Sequence, residues 1–288
     1  MSGTLPSVIV APVTSPDGPS LEGCFIKLGR ANKHRQELET ALGPALDAIR
    51  EGVVTETTYD KHTDQFFVHV RYAPEIPPTI STIAGDVINN LRSALDYAAY
   101  QAVWRSQGTP WESSQFPIAS SPSKFSKRDT ETLGKLDPGF VTVIKSHQPF
   151  EEIDDYRSEG IASDLLEIVD LLNRNRALSR LRDLSNRDKH RLLVPRFARA
   201  TGTSYSPRLI EGCAPKVAEA VTEGDLVPRA DPIAVFGAFS EGYPHPKMEV
   251  DFRFRPRVGL GGFGDIEDVL DAMAAKVVRI VTEFEPLF

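Results

Sequence analysis

Thr79–Gln107 reads TISTIAGDVINNLRSALDYAAYQAVWRSQ. Ile80, Ala84, Val87, Leu91, Ala94, Leu95, Ala98 and Ala102 recur at helical spacing and make one apolar stripe, so the stretch predicts a long amphipathic helix. The alanines in that stripe let a neighbouring helix approach closely. Asn89, Arg92, Asp96 and Tyr100 fall roughly opposite, with Asn90, Ser93 and Tyr97 on the flank. Arg92 and Asp96 are one turn apart and can pair. Two readings of this polar face stand side by side. It is a solvated face carrying one ion pair, worth about 0.3–0.5 kcal/mol, or it packs on something and holds a site. Two adjacent asparagines favour the second, because in an exposed helix interior they lose propensity for no return.

Before this helix, Leu28, Ala31, Leu38, Leu42, Ala45 and Ile49 predict a helix over Glu22 to Arg50, kinked or restarted at Gly43-Pro44. Val53–Tyr59 and Gln65–Tyr72 are β-branched and aromatic runs around the polar loop Asp60–Asp64, a β-hairpin in which His69 shares a face with Phe67. After it, Gly108 to Phe150 reads as a long excursion pinned by Trp111, Phe116, Phe125 and Phe140. It contains a short helix from Pro138 to Lys145 with Asp137 as N-cap, ended by His147-Gln148-Pro149. The acidic stretch 151–160 is the best candidate for a mobile lid. Ser163 to Leu184 is helical again, with two stripes pointing in different directions around Asn173–Arg176, and the second helix carries into Asn186–Leu193. Beyond Pro195, the β-rich segments Val194–Thr201, Lys216–Thr222, Pro232–Ser240 and Lys247–Val258 follow. Gly259–Gly264 is a turn and not a phosphate loop, since it lacks the Lys-Ser/Thr end. His245, between two prolines, is a loop residue. Ile266 through Phe284 then form a last amphipathic helix expected to cover the sheet.

The fold class is therefore α+β: a helical core of long amphipathic helices, an N-terminal β-hairpin, and a C-terminal antiparallel β-rich part covered by a final helix. Residues 1–20, with one short strand at Ser7–Val13, make a flexible lead-in; 21–195 are mainly helical; 196–288 form the β-rich part, packed as one unit with the first. At 288 residues such a chain buries a substantial core unaided. Two cysteines, Cys24 and Cys213, are too few for a disulfide framework or a four-cysteine zinc site, and read as free thiols. No cofactor or metal set is evident. The start of the chain lacks a signal-peptide pattern and no apolar run is long enough to span a membrane, so the expected location is the cytoplasm. A formal charge of −7 argues against wholesale nucleic-acid binding but leaves room for a local basic patch.

That patch is Arg174–Arg199, which collects nine Lys/Arg residues against Asp183 and Asp188 alone. Within it, Asn186, Asp188, Lys189, His190 and Arg191 bring a carboxamide, a carboxylate, an imidazole and two cations together. That is the chemistry of an anion or phosphodiester site.

Gly85-Asp-Val-Ile-Asn-Asn-Leu-Arg-Ser-Ala-Leu-Asp96, Phe116-Pro-Ile118 and Leu181-Arg-Asp-Leu-Ser-Asn-Arg-Asp-Lys-His-Arg-Leu192 together resemble a family of uncharacterised bacterial proteins, mostly actinobacterial. More distantly the two helices are similar to the HEPN superfamily of helical domains, many of them metal-independent RNases. The HEPN signature is an Arg, then a polar residue, often Asn, with a His four residues after it. Asn186 and His190 match the last two, while Ser185 stands at the Arg position. What the resemblance implies is RNA binding or cleavage. Catalysis would fall to His190, Asn186, Arg92, Asp96 and Asp188, and phosphate binding to Arg182, Arg187, Lys189 and Arg191. An imidazole as general acid or base and a bidentate guanidinium would suffice without a metal. The expected partner is RNA or another small polyanion, with a homodimer possible. The competing reading makes the Asn-x-Asp-Lys-His-Arg cluster a hydrogen-bonded lock between helices, with Arg92 and Asp96 as its other half; a small-anion pocket is the third.

Overall fold

The computed structural model describes residues 18–60, 62–63, 65–150, 177–189, 193, 195–198, 204–209, 234–236, 248–253, 257–260 and 263–288. Its core is helical. Helix α1 spans Glu22–Gly52, α2 Pro78–Gln107, α3 Lys127–Leu133, α4 Pro138–Ser146, α5 Ala177–Asp188 and α6 Ile266–Phe284. Two units separate: Met1–Leu38 with Ser81–Leu193 and Glu267–Phe288, and Glu39–Ile80 with Val194–Ile266.

Every apolar position that defined the stripes of α1, α2 and α6 is buried, and in α2 Ile88, Ala99 and Val103 widen the stripe. α2 stops at Gly108, whose φ of +72° is the left-handed backbone that closes a helix on its own carbonyls at little cost for glycine. α1 does not restart at Gly43-Pro44: the helix continues through Pro44, because the proline removes one bond from a long ladder while buried Leu42, Ala45 and Ile49 on either side hold the register.

α4 begins where its sequence indicates. Asp137 has extended backbone at the N-cap, yet its side chain makes no capping bond, and its N–H instead donates to Ser106 Oγ at 2.9 Å. α3 was not anticipated. Its start is a capping box in which the Ser126 hydroxyl accepts from Asp129 N–H and the Asp129 carboxylate accepts from Ser126 N–H. α5 ends at Asp188 with Lys189 in a turn, short of the expected continuation toward Leu193. Its buried face is Ala177, Leu178, Leu181, Leu184 and Ser185.

Among the described residues the last helix has partners on α1 and α4; its expected cover of the sheet is not tested by them. Arg35 grips Asp271 through two bonds, 2.8 and 3.0 Å. Phe284 meets Phe140 edge-on at 5.1 Å between ring centres. A fully buried stripe from Val269 to Phe284 explains why the helix sits in the helical unit. Cys24, also in this core, has its thiol pushed up to about 12 by burial, which makes it unreactive.

The second unit carries paired strands. β1 (Val54–Asp60) and β2 (Gln65–Tyr72) pair antiparallel from Asp60↔Gln65 to Val54↔Tyr72, and β5 (Ala234–Phe236) adds to β2. Phe67 and His69 stack with ring centres 6.4 Å apart. β3 (Pro195–Ala198) pairs with β7 (Arg257–Leu260), and β4 (Ser204–Leu209) with β6 (Met248–Arg253). The readings of Ser7–Val13, the 151–160 lid, residues 163–176, Cys213, Lys216–Thr222, His245 and the middle of the 259–264 turn lie outside the described residues.

Candidate functional site

The polar face of α2 is engaged by other segments and only partly solvated. Ser81, Gly85, Asn89, Arg92 and Asp96 follow one another at spacings of three and four, so they line one ridge of the helix. Two other segments are tied to it. The first is the end of α5. The Asp188 carboxylate accepts a bond from Asn89 Nδ2 at 2.7 Å and lies against Gly85, where a Cβ would fall 2.7 Å from its Oδ1. One turn earlier on α2, the buried Ser81 hydroxyl donates to the carbonyl of Leu193.

The second is the extended segment Phe116–Ala119, all four residues of which are buried. Arg92 and Asp96 form a two-bond pair, Nε to Oδ2 at 3.1 Å and Nη2 to Oδ1 at 2.8 Å. The pair faces the backbone of Phe116: Arg92 Nη2 donates to its carbonyl at 3.0 Å and its N–H donates to Asp96 Oδ1 at 2.9 Å. The guanidinium and carboxylate thus act as a surrogate strand edge for one residue. Arg182 of α5 adds a long bond to the Ile118 carbonyl, 3.4 Å, while its Nε holds Asp183 at 2.9 Å.

Gln148 completes the grip, and nothing in the sequence around His147-Gln148-Pro149 distinguishes it from a helix terminator. Its side chain is fully buried; Oε1 accepts from Ala119 N–H at 2.9 Å, and Nε2 donates to the carbonyls of Pro117 (2.9 Å) and Ile144 (3.1 Å). Gln148→Leu keeps much of the volume but strands the Ala119 N–H and the Pro117 carbonyl in the interior. A loss of about 2–4 kcal/mol is expected from those orphaned groups, measurable by urea unfolding; a loss below about 0.5 kcal/mol would mean that the segment relaxes into water.

The candidate residues therefore divide. Arg92, Asp96 and Asp188 are brought onto the α2 ridge and are engaged there. Arg182 is half-buried beside them. Asn186, Arg187 and Lys189 are exposed at the end of α5. Ser185, at the Arg position of the HEPN pattern, is 1% exposed and its hydroxyl has no partner, so that position faces the interior. His190 and Arg191 lie outside the described residues. Among the described residues no group of three or more His, Cys, Asp or Glu can hold a metal ion, and no helix is long and apolar enough to cross a membrane. His147, expected only as part of a helix stop, meets Lys276, Arg279 and Glu283 where α4 ends. The chain matches no family model, no curated protein and no solved structure.

Proposed function

We propose that the chain is a non-catalytic, HEPN-like helical module that takes up RNA at the exposed end of α5 without cleaving it. One observation supports this reading: Arg92 and Asp96, to which catalysis would have fallen beside His190, are both spent on the backbone of Phe116. The same arrangement turns the Asp188 carboxylate inward onto Asn89 and leaves Arg187, Lys189 and Asn186 exposed. A helix end whose acid points in and whose cations point out suits a polyanion. RNA and a free Cys24 thiol both fit the cytoplasm. For the second unit, the antiparallel pairs β3–β7 and β4–β6 support a C-terminal β-rich part.

Fluorescence anisotropy with a labelled single-stranded RNA, in chelator and across a salt series, tests the proposal. Binding should weaken with salt, with a log–log slope of about −1.4 if Arg187 and Lys189 each neutralise one phosphate. The double change Arg187→Glu, Lys189→Glu should lower affinity by about tenfold or more at low salt, and the RNA should stay intact. Intact binding by wild type with no effect of the double change would move the site elsewhere. RNA cleavage that His190→Ala abolishes without unfolding would restore the metal-independent RNase reading, and absence of binding would leave only the locked helical module.

A further inference from the structure

At the end of α4, a charged cluster unrelated to the α2 ridge joins that helix to α6. His147 follows the last residue of α4 and is 3% exposed. Its Nε2 lies 2.8 Å from Glu283 Oε2, and Arg279 Nε donates to the other oxygen of the same carboxylate at 2.9 Å. Lys276, Arg279 and Glu283 sit three, four and seven residues apart along α6, on one face. Immediately beside them is an apolar contact between the same two helices. Phe140 packs edge-on against Phe284 and Phe288, and Leu287 lies over Gly139, where a Cβ would approach it to 3.1 Å.

Counting charge shows what a proton would do here. With a neutral imidazole the cluster holds two cations and one carboxylate. Protonation adds a third positive charge at the most buried of the four groups. Among the described residues the charged groups facing His147 are Glu283, Arg279 and Lys276 of α6, while Lys145, two residues back on α4, is exposed.

We propose that His147 and Glu283 form an acid-released latch, in which proton uptake by the imidazole loosens residues 277–288, the end of α6 and the short turn after it, from α4. The signs agree. Burial and then the Lys276 charge hold His147 below the ordinary histidine range, and the Glu283 bond offsets this only in part. Because the folded value is the lower one, the latch's contribution is complete above about pH 6.5 and is lost as the pH falls below it. The neighbours do not titrate in that window. Lys276 is brought down to about 8 by burial and by Arg279, so below about pH 6.5 it is charged throughout. Glu283 stays ionised, since burial, which alone would raise it, is outweighed by the bonds from Arg279 and His147.

Amide hydrogen exchange over residues 277–288, corrected for intrinsic exchange, reads the latch directly. Between about pH 6.5 and about pH 5 protection should fall at least about threefold in the wild type, with a ceiling of about tenfold per pH unit. His147→Gln keeps an N–H donor for Glu283 and cannot charge, so its protection should not change with pH. Lys276→Met removes one of the two opposing cations and should give a shallower fall than the wild type. A flat wild-type profile, or a parallel fall in His147→Gln, would overturn the proposal. Should His147→Gln not fold, an unaltered fall in Lys276→Met would overturn it alone.

Discussion

Asp96→Ala is expected to cost about 2–4 kcal/mol of stability, far more than the 1 kcal/mol or less, roughly, of an exposed helical ion pair. The carboxylate has two tasks. It pairs with Arg92, whose side chain is 15% exposed, and it accepts the N–H of Phe116, a residue with no exposure at all. Removing it strands a buried donor and leaves a largely buried cation without its partner, the costlier way to break such a pair. Partial exposure of Asp96, at 28%, keeps the estimate below the roughly 3–5 kcal/mol found for fully buried pairs. Arg92→Ala should cost less than Asp96→Ala, because the surviving carboxylate still accepts from Phe116. Arg92→Lys should recover little, since an ammonium cannot hold Asp96 through two bonds and reach the Phe116 carbonyl as well. In a double-mutant cycle the two alanine changes should be coupled by about 1 kcal/mol or more. Additive losses below about 0.5 kcal/mol each would return the face to solvent and reopen it as a site.

What was legible in advance was the part of the fold written in periodicity. The stripe from Ile80 to Ala102 needed only spacing to be read, and so did that from Ile266 to Phe284, because burying a helix face imposes its period on the sequence whatever it packs against. The two adjacent asparagines also carried information: Asn89 is held by Asp188, whereas Asn90 merely returns to the Asp86 carbonyl of its own helix. What could not be read was the partner. Nothing local tells that Arg92 and Asp96 face Phe116, twenty or more residues on, or that Gln148 is a buried clamp and not a helix terminator, since these depend on tertiary proximity. At Pro44 the helix does not restart, because burial on both sides outweighs the one lost bond. The three motifs meet through side-chain bonds: Arg92 and Asp96 of the first hold Phe116 of the second, Asn89 of the first holds Asp188 of the third, and Arg182 of the third reaches Ile118 of the second.

Gly85→Ala should reverse sign depending on Asp188, and this reversal is the sharpest test of the lock. In an unconstrained helix interior the change gains about 1 kcal/mol from propensity alone. Here the new Cβ would stand 2.7 and 2.9 Å from the Asp188 oxygens and 3.0 Å from Cγ, closer than side chains tolerate. The carboxylate must swing away, giving up Asn89, or α5 must shift; overpacking of this kind costs about 1–3 kcal/mol, so the net effect in the wild type should be destabilising. In an Asp188→Ala background the obstruction is gone and the same substitution should stabilise by up to about 1 kcal/mol. A gain in both backgrounds would show that the carboxylate does not rest on the helix. The consequence reaches function, because a displaced Asp188 carboxylate joins the surface beside Arg187 and Lys189. If the chain takes up RNA as proposed, Gly85→Ala should weaken that binding while Asp188→Ala does not, since only the former turns the acid outward among the cations that would meet the phosphates.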